Sequence, residues 1–196
     1  GRWTDIELDI MKSLARCVQM LTALQIGRIW LEQESTTESA QQLMRPLVAA
    51  GMVQQALVVG HPALQPKRPI VSWEPGKPDP NYSRISNRIR GRWNQSSVVT
   101  QVYWASCRAA NIFGCSVPHL RNVTHRDHDL LLSDVYAFYR VARSCLAANW
   151  IGENSLPKAG YRIKDPDAFL IDEDGRVLRV IESAGRYGRD QIETFH

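Results

Sequence analysis

The sequence predicts an α+β protein in which an N-terminal winged helix-turn-helix module precedes a second, mixed α/β region. Three observations support this fold class. Apolar residues at helical spacing, together with helix-capping patterns, occupy the first 50 residues. A stretch rich in proline and arginine follows at residues 75–93. Nearer the C-terminus, an apolar segment interrupted by an Asp-Gly pair is typical of a β-hairpin.

The winged module is predicted from three helical segments and two short apolar strands. Thr22 is a plausible N-cap for the second helix, and Ser35-Thr-Thr-Glu38 is a capping-box pattern at the start of the third. Pro46 lies inside the third helix and is expected to kink it or to shift its start. In chain order the predicted elements are helices over residues 6–18, 20–31 and 35–51 and wing strands over residues 52–59 and 69–74.

The change of pattern along the chain predicts two domains. The winged module covers residues 1–75, a basic linker covers residues 76–96, and the second domain covers residues 97–196. Within the second domain, residues 98–110 are compatible with either helix or strand, whereas residues 111–122 favour strand and loop. The pattern of a last helix runs to the final residue, so we expect the chain to be part of a longer protein whose second domain continues beyond it.

One long helix is predicted inside the second domain. Thr124-x-x-Asp127 is a capping pattern, and the helix after it should bury a face that includes Leu131, Val135 and Phe138. The last helix of the chain is expected to start near residue 186 or 187.

The segment from Asp167 to Glu182 is predicted to form a β-hairpin. Asp174-Gly175 fits a type I′ turn, in which both central residues need φ > 0. That turn places Asp167 directly opposite Glu182, with Cβ atoms roughly 5 Å apart. Two such carboxylates repel unless a cation lies between them, so the pattern indicates a metal site; the alternative is a frayed end with two hydrated acidic side chains. The same face would carry an apolar floor of Phe169, Ile171, Leu178 and Val180.

Positive charge is concentrated in one short part of the chain. The whole chain has a net charge of +4, whereas residues 67–92 alone carry seven basic and two acidic side chains. Such a run beside aromatic residues is typical of a nucleic-acid-binding surface; a solvated arginine-rich linker is the alternative. The candidate DNA contacts in this run are Lys67, Arg68, Arg84, Arg88, Arg90 and Arg92.

Composition favours a cytoplasmic protein with no membrane partner. No apolar run approaches the length that spans a bilayer, and the N-terminal residues lack the pattern of a signal peptide. The four cysteines show none of the paired spacings of zinc sites, which favours reduced thiols.

Other polar residues are candidates for a site. A protonated histidine near a helix start opposes the helix dipole, so His128 is expected to be neutral, either as a ligand or in a local structural bond. Asp129 beside it is equally explained by its place in the first turn. Glu153 is a possible third carboxylate, although a loop glutamate is more often only hydrated. Tyr187 could stack on a base or contact a phosphate, or it could be an ordinary core aromatic.

Pro166-Asp167 and Glu182, with fourteen residues between Asp167 and Glu182, resemble the PD-(D/E)xK nuclease site. In that site two acidic residues hold Mg²⁺ or Mn²⁺, which polarises the phosphate and activates a bound water. The position of the usual lysine is occupied here by Ala184. The candidates to replace it from elsewhere in the chain are Lys158, Lys164 and Arg186; if none does so, the domain is expected to bind metal and DNA without efficient cleavage.

A wider, ordered set of segments resembles the replication-relaxation family and the related MOBC relaxases of mobile plasmids. These segments are Leu43–Met52, Trp73–Pro80, His128–Leu130, Pro166–Ala168 and Ile181–Tyr187. The resemblance implies a winged helix followed by a restriction-endonuclease-like domain. It also implies nicking of one DNA strand at a transfer origin, with relaxosome or coupling proteins as partners.

The resemblance also implies roles for individual residues. Asp167 and Glu182 would be the metal ligands, and His128 and Asp129 would lie near the scissile phosphate. Arg186 and Tyr187 belong to the third motif and would contact DNA. Ser183-Ala184 departs from the family pattern, which leaves two alternatives open: a non-catalytic winged-helix accessory protein with a degenerate nuclease domain, or a protein-docking winged helix.

Overall fold

The computed structural model describes residues 3–31, 36–61, 71, 73, 76–91, 96–143, 148–156, 166–183 and 187–195. Over these residues the protein is α+β, as predicted, with seven α-helices and two small antiparallel sheets. None of the described helices is long and apolar enough to cross a bilayer. The helices are α1 (Asp5–Arg16), α2 (Ala23–Trp30), α3 (Thr37–Ala49), α4 (Tyr82–Arg90), α5 (Cys107–Ile112), α6 (Val123–Ala142) and α7 (Arg189–Phe195), with a 3₁₀ turn at Glu153–Ser155. The strands are β1 (Leu21–Thr22), β2 (Val53–Gly60), β3 (Val98–Ala105), β4 (Trp150–Gly152), β5 (Ala168–Ile171) and β6 (Val177–Ile181).

The first three helices follow the predicted pattern closely. Thr22 caps α2 through a reciprocal capping box with Gln25, because each side chain accepts the other residue's backbone N–H. The third helix is capped by Thr36 and continues past Pro46, whose carbonyl accepts the N–H of Ala50 at 3.0 Å. The cap predicted for α2 is thus confirmed, whereas α3 starts after Thr36 without the predicted capping box and α1 starts after Thr4.

The first sheet has the strand order β1-β3-β2. β2 and β3 pair along their full length, from Val53 opposite Ala105 to Gly60 opposite Val98. β3, which lies in the predicted second domain, thus pairs with β2 of the predicted winged module. The wing strand predicted at residues 69–74 lies mostly outside the described residues.

The long helix α6 begins earlier and buries a different face than predicted. Its N-cap is Asn122 rather than Thr124. Leu132 and Tyr136 are buried, whereas Phe138 is 54% exposed. Three consecutive leucines at 130–132 allow several helical faces to satisfy the apolar spacing, so only tertiary packing selects one. The Tyr136 ring packs edge-on against Trp150 of β4, with ring centroids 5.3 Å apart.

A polar network fastens the C-terminal half of α6 to α1 and α2. Arg140 donates to a carboxylate oxygen of Asp9 and, at 3.0 Å, to the hydroxyl of Tyr136. That hydroxyl lies 2.8 Å from Oγ of Ser13, and Nε1 of Trp30 donates to Asp9 at 2.7 Å. Burial alone would raise the pKa of Asp9, but the hydrogen bonds from Arg140 and Trp30 outweigh it and lower the pKa. The network holds α6 in one orientation on α1.

The second sheet is a meander in the order β4-β5-β6. Ala168 pairs with Ile181 and Phe169 with Val180, which confirms the register predicted for the open end of the hairpin. Extended by one position, this register sets Asp167 opposite Glu182. The predicted apolar floor is wrong, because Val180 is 57% exposed and the core packs on the opposite face of the sheet.

The tip of the hairpin differs from the predicted two-residue turn. Asp172 donates its N–H to the carbonyl of Arg176 at 2.9 Å, so the loop contains three residues. Among the described residues only glycines have positive φ, and Gly175 has φ +79° while Asp174 does not. A three-residue loop with one left-handed glycine is a common alternative to type I′. A register shift after Leu170 absorbs the added residue, so the open end keeps its predicted pairing.

The two sheets share one buried apolar cluster. It contains Ile10 and Leu47 from the N-terminal helices and Trp150 and Leu170 from the second sheet. A Cβ added to Gly152 of β4 would lie 2.1 Å from the carbonyl oxygen of Cys17, at the end of α1. β4 therefore packs against α1 at a distance that only glycine allows.

We expect Gly152→Ala to lower the free energy of unfolding by about 2 kcal/mol or more, because the new methyl group meets rigid backbone. Urea unfolding would measure the loss. Gly91→Ala is the matched control, since a Cβ there has no atom within 4 Å. Equal stability of the two variants would contradict the close packing of β4 on α1.

Candidate functional site

His128 lies between two carboxylates. Its Nε2 is 3.0 Å from Oδ2 of Asp167, and its Nδ1 is 3.2 Å from Oδ1 of Asp129. α6 carries the histidine and Asp129, while Asp167 immediately precedes β5. The fold thus brings together three of the residues that the sequence indicated as catalytic, although they come from segments about 40 residues apart.

The prediction that His128 is neutral is wrong. Burial would lower its pKa, but hydrogen bonds to Asp129 and Asp167 and their negative charges outweigh burial and raise the pKa to about 9. The helix dipole acts most strongly in the first turn of a helix. Since α6 begins at Val123, His128 lies beyond that turn and is little affected by the dipole. A cation does lie beside Asp167, and it is the imidazolium.

The two predicted metal ligands each have a further protein partner. Asp167 accepts the backbone N–H of Ser183 at 2.6 Å. Glu182 accepts the hydroxyl of Tyr187 at 3.2 Å. Within the part of the chain that the structure describes, no group of three His, Cys, Asp or Glu side chains is arranged to hold a metal ion.

Asp129 is the most deeply buried carboxylate of the site, with 1% of its surface exposed. Its Oδ1 faces both His128 and, at 3.5 Å, the guanidinium of Arg121. Its Oδ2 is buried and has no hydrogen-bond partner among the described residues, as is true of Oε1 of Gln19 and Oγ of Ser183. Oxygen atoms of this kind are the donors that Mg²⁺ and Mn²⁺ prefer, so the donor chemistry of the site fits such an ion.

Arg121 joins Asp129 to Glu153, and no sequence pattern indicates this role. One guanidinium nitrogen contacts Oε1 of Glu153, which also accepts from the amide of Gln19. The same amide donates to Oδ1 of Asn154 at 2.7 Å. Glu153, considered as a possible third carboxylate, is therefore tied to the site through Arg121. Arg121 lies in an aperiodic segment before α6, where no spacing rule applies.

A second histidine–aspartate contact anchors the end of β2 to α6. Asp127 accepts the backbone N–H of His61 at 2.7 Å and lies 3.0 Å from its ring Nδ1. A Cβ added to Gly60 would be 2.7 Å from a methyl carbon of Leu130. Asp127 was predicted to cap the helix, but its carboxylate instead fixes where the chain leaves the first sheet.

The predicted linker contains a helix that packs beside the carboxylates. Ile85 of α4 and Ile192 of α7 are both buried, and the two helices are in contact. Ser86 donates its hydroxyl to the backbone carbonyl of Tyr187 at 2.9 Å. Because Tyr187 in turn contacts Glu182, α4 positions one side of the candidate site.

Two basic residues of α4 lie on its exposed face, away from this contact. Arg84 and Arg88 are exposed, and their spacing of four residues places them on one face of the helix. Arg90 is also exposed, and its guanidinium lies near Gly188. Other residues of the sequence predictions lie outside the described residues: Lys67, Arg68, Arg92, Lys158, Lys164, Ala184 and Arg186.

Comparisons of the chain with models of protein families, with curated proteins and with solved structures found no match.

We expect the His128 pairing to stabilise the fold below neutral pH and to lose this effect in alkali. The raised pKa means that the stabilisation is complete below the unfolded value of 6.5 and disappears as the pH rises through about 9. His128→Gln should therefore lower the free energy of unfolding by on the order of 2 kcal/mol near neutral pH, and by much less at about pH 10.

Urea unfolding across this pH range would measure the difference between His128→Gln and the wild type. His125→Gln replaces an exposed histidine on the same helix and is the control. A difference that stays constant across the whole range would contradict the charged state assigned to His128.

Proposed function

We propose that the chain is a metal-dependent DNA-nicking domain of the relaxase type, which acts at the transfer origin of a plasmid or conjugative element. The observation that carries the proposal is the convergence of His128, Asp129 and Asp167 at the rim of a hairpin whose register sets Asp167 opposite Glu182. Metal-dependent phosphodiester cleavage needs such a cluster of acidic and proton-carrying groups at an accessible edge.

The N-terminal half supports a winged helix-turn-helix. Three helices precede the long β2–β3 pair, and the short strand β1 completes the sheet in the order β1-β3-β2. In winged helices of this layout the third helix commonly enters a DNA groove. We therefore assign α3 and the segment that connects β2 to β3, residues 61–97, to DNA binding.

In the proposed site, Asp167 and Glu182 would hold Mg²⁺ or Mn²⁺, with the unpartnered Oδ2 of Asp129 nearby in the same cluster. The bound ion would polarise the phosphate and lower the pKa of a water molecule. If Asp167 turned towards the metal ion, the Nε2–H of the His128 imidazolium would be released from that carboxylate and could donate its proton to the oxygen that leaves the phosphorus. Arg121 balances the charge of Asp129 and keeps that carboxylate in place.

The helix α4 also supports the proposal of DNA nicking. Its exposed Arg84 and Arg88 would contact the phosphate backbone, while its buried Ser86 holds Tyr187 against Glu182. DNA bound to the exposed face of α4 would therefore be separated from the carboxylates by the diameter of one helix, about 10 Å. This arrangement couples binding of the strand to positioning of the site.

A specific observation favours the second candidate, a non-catalytic DNA-binding accessory protein. Asp167 and Glu182 each have a protein partner, and the described residues contain no three-residue metal-binding group. Here the His128 imidazolium would be a permanent structural cation that takes the place of a metal.

We expect the wild-type protein with Mn²⁺ to convert supercoiled plasmid carrying the cognate transfer origin into relaxed circles. Asp167→Ala should reduce the rate by at least roughly 100-fold, since it removes both a ligand and the partner of His128. Agarose gel electrophoresis would measure the conversion. Asp174→Ala, at the exposed hairpin tip, is the matched control.

Each outcome of this assay separates the candidates. Unchanged supercoil together with a gel shift would support the accessory protein. If the protein shows no nicking and no gel shift at low salt, the protein-docking winged helix is the remaining candidate.

We expect Arg84→Ala combined with Arg88→Ala to weaken binding to all DNA sequences by a similar factor. Loss of two phosphate contacts should also lower the slope of log K against log salt by about 2, because fewer counterions are released. Fluorescence anisotropy over a range of salt concentrations would measure both effects. Arg143→Ala combined with Arg176→Ala removes the same charge from other exposed positions and should leave the slope almost unchanged. An unaltered slope in the α4 variant would contradict the role of α4.

A further inference from the structure

Tyr187 supplies a hydrogen bond that restrains the carboxylate of Glu182. Its hydroxyl donates to Oε1 of Glu182 at 3.2 Å. The last torsion of a glutamate side chain is broad, so the carboxylate of an unsupported glutamate can rotate. A donor bonded to one of its two oxygen atoms limits this rotation and thereby sets the direction of the other oxygen.

The donor is of a kind that suits a carboxylate which must also bind a cation. The other proposed ligand, Asp167, faces the His128 imidazolium, a full positive charge. A phenol hydroxyl is an uncharged donor, so Tyr187 leaves the negative charge of Glu182 intact. In metal sites, the carboxylates that bind the ion are commonly oriented by hydrogen bonds of this type.

Tyr187 is itself held in place by α4. Ser86, with 4% of its surface exposed, donates its hydroxyl to the backbone carbonyl of Tyr187 at 2.9 Å. The next residue, Gly188, donates its N–H to Oε1 of Gln191 at 2.9 Å, in the first turn of α7. A Cβ added to Gly188 would lie 3.5 Å from the guanidinium of Arg90, so α4 also approaches the chain directly after Tyr187.

The contact between α4 and α7 makes this support part of the packed structure. Ile85 of α4 and Ile192 of α7 are each 9% exposed, and the two helices touch. Because Ser86 directly follows Ile85, the packing that buries the isoleucine also keeps the serine hydroxyl at the backbone of Tyr187. A chain of contacts therefore runs from the predicted linker to one carboxylate of the site.

We propose that Tyr187 is a positioning residue for the metal ligand Glu182, and that Ser86 of α4 holds Tyr187 in this role. The inference rests on the metal site of the proposed function, and it assigns the Tyr187 hydroxyl to Glu182 instead of to DNA. A divalent ion would meet a carboxylate that is already oriented, so less side-chain entropy would be lost on binding.

The test measures the affinity of the whole chain for Mn²⁺ by electron paramagnetic resonance, which detects the unbound aqueous ion. The binding that Asp167→Ala abolishes identifies the site. Tyr187→Phe should weaken this binding by about 10- to 100-fold, because the ligand Glu182 loses its orienting bond. Ser86→Ala should weaken it by at least about threefold, because the Tyr187 hydroxyl remains but loses its support. Ser83→Ala, at an exposed position of the same helix, is the matched control and should leave the affinity unchanged.

Binding to duplex DNA in the presence of EDTA separates positioning from a DNA contact. Tyr187→Phe should leave this affinity unchanged, because its hydroxyl is used on Glu182. Circular dichroism establishes that each variant is folded at the temperature of the titration, and Ser86→Ala decides the inference if Tyr187→Phe is not. Folded variants with unchanged Mn²⁺ affinity, or a Tyr187→Phe variant that loses only DNA affinity, would overturn the inference.

The positioning role and the nicking proposal fail in different ways. A wild type that nicks plasmid, while Tyr187→Phe keeps its Mn²⁺ affinity, would refute the positioning role alone. A wild type that binds Mn²⁺ and responds to the variants as expected, but never nicks plasmid, would refute nicking and leave the role of Tyr187 standing. A wild type without Asp167-dependent Mn²⁺ binding would refute both.

Discussion

The placement of α6 across both sheets is the constraint on which the rest of the structure depends. Its C-terminal half is fastened to α1 by the network around Arg140, and Tyr136 packs against Trp150 of the second sheet. At its middle, Ser133 donates to the carbonyl of Met20, and in its N-terminal half Asp127 holds His61. With both halves anchored, the helix can present His128 to Asp167 in only one way. The candidate site is therefore a consequence of core packing rather than of a single local motif.

Alternating charges organise the candidate site around this helix. Asp167, His128, Asp129, Arg121 and Glu153 form a chain in which each cation lies between two carboxylates. Such an arrangement is tolerated in a partly buried place because each charge has an opposite neighbour. The exception is Oδ2 of Asp129, which is buried without a partner among the described residues. An unsatisfied oxygen there is costly to the fold, and a ligand at the site would relieve the cost.

The excursion between β2 and β3 links the DNA-binding and carboxylate parts of the proposed function. Its helix α4 leaves the first sheet but packs on α7, where Ser86 holds the backbone of Tyr187. In the proposed function, the exposed guanidinium groups of α4 would bind phosphates without regard to sequence.

Local patterns in the sequence determined the first three helices and the pairing at the open end of the β5–β6 hairpin. Capping bonds and strand alternation act over a few residues, so they can be recognised without knowledge of the fold. The hairpin pairing survived even a wrong turn type, because the register shift after Leu170 compensates for the three-residue loop. Only the tertiary structure decided that β3 pairs with β2, which face of α6 is buried, and that His128 is charged. Each of these depends on residues that are distant in the chain. The strands β2 and β3 pair across the segment that contains α4, and the core selects one face of α6 among three consecutive leucines. The charge of His128 depends on Asp167, which the second sheet brings next to it.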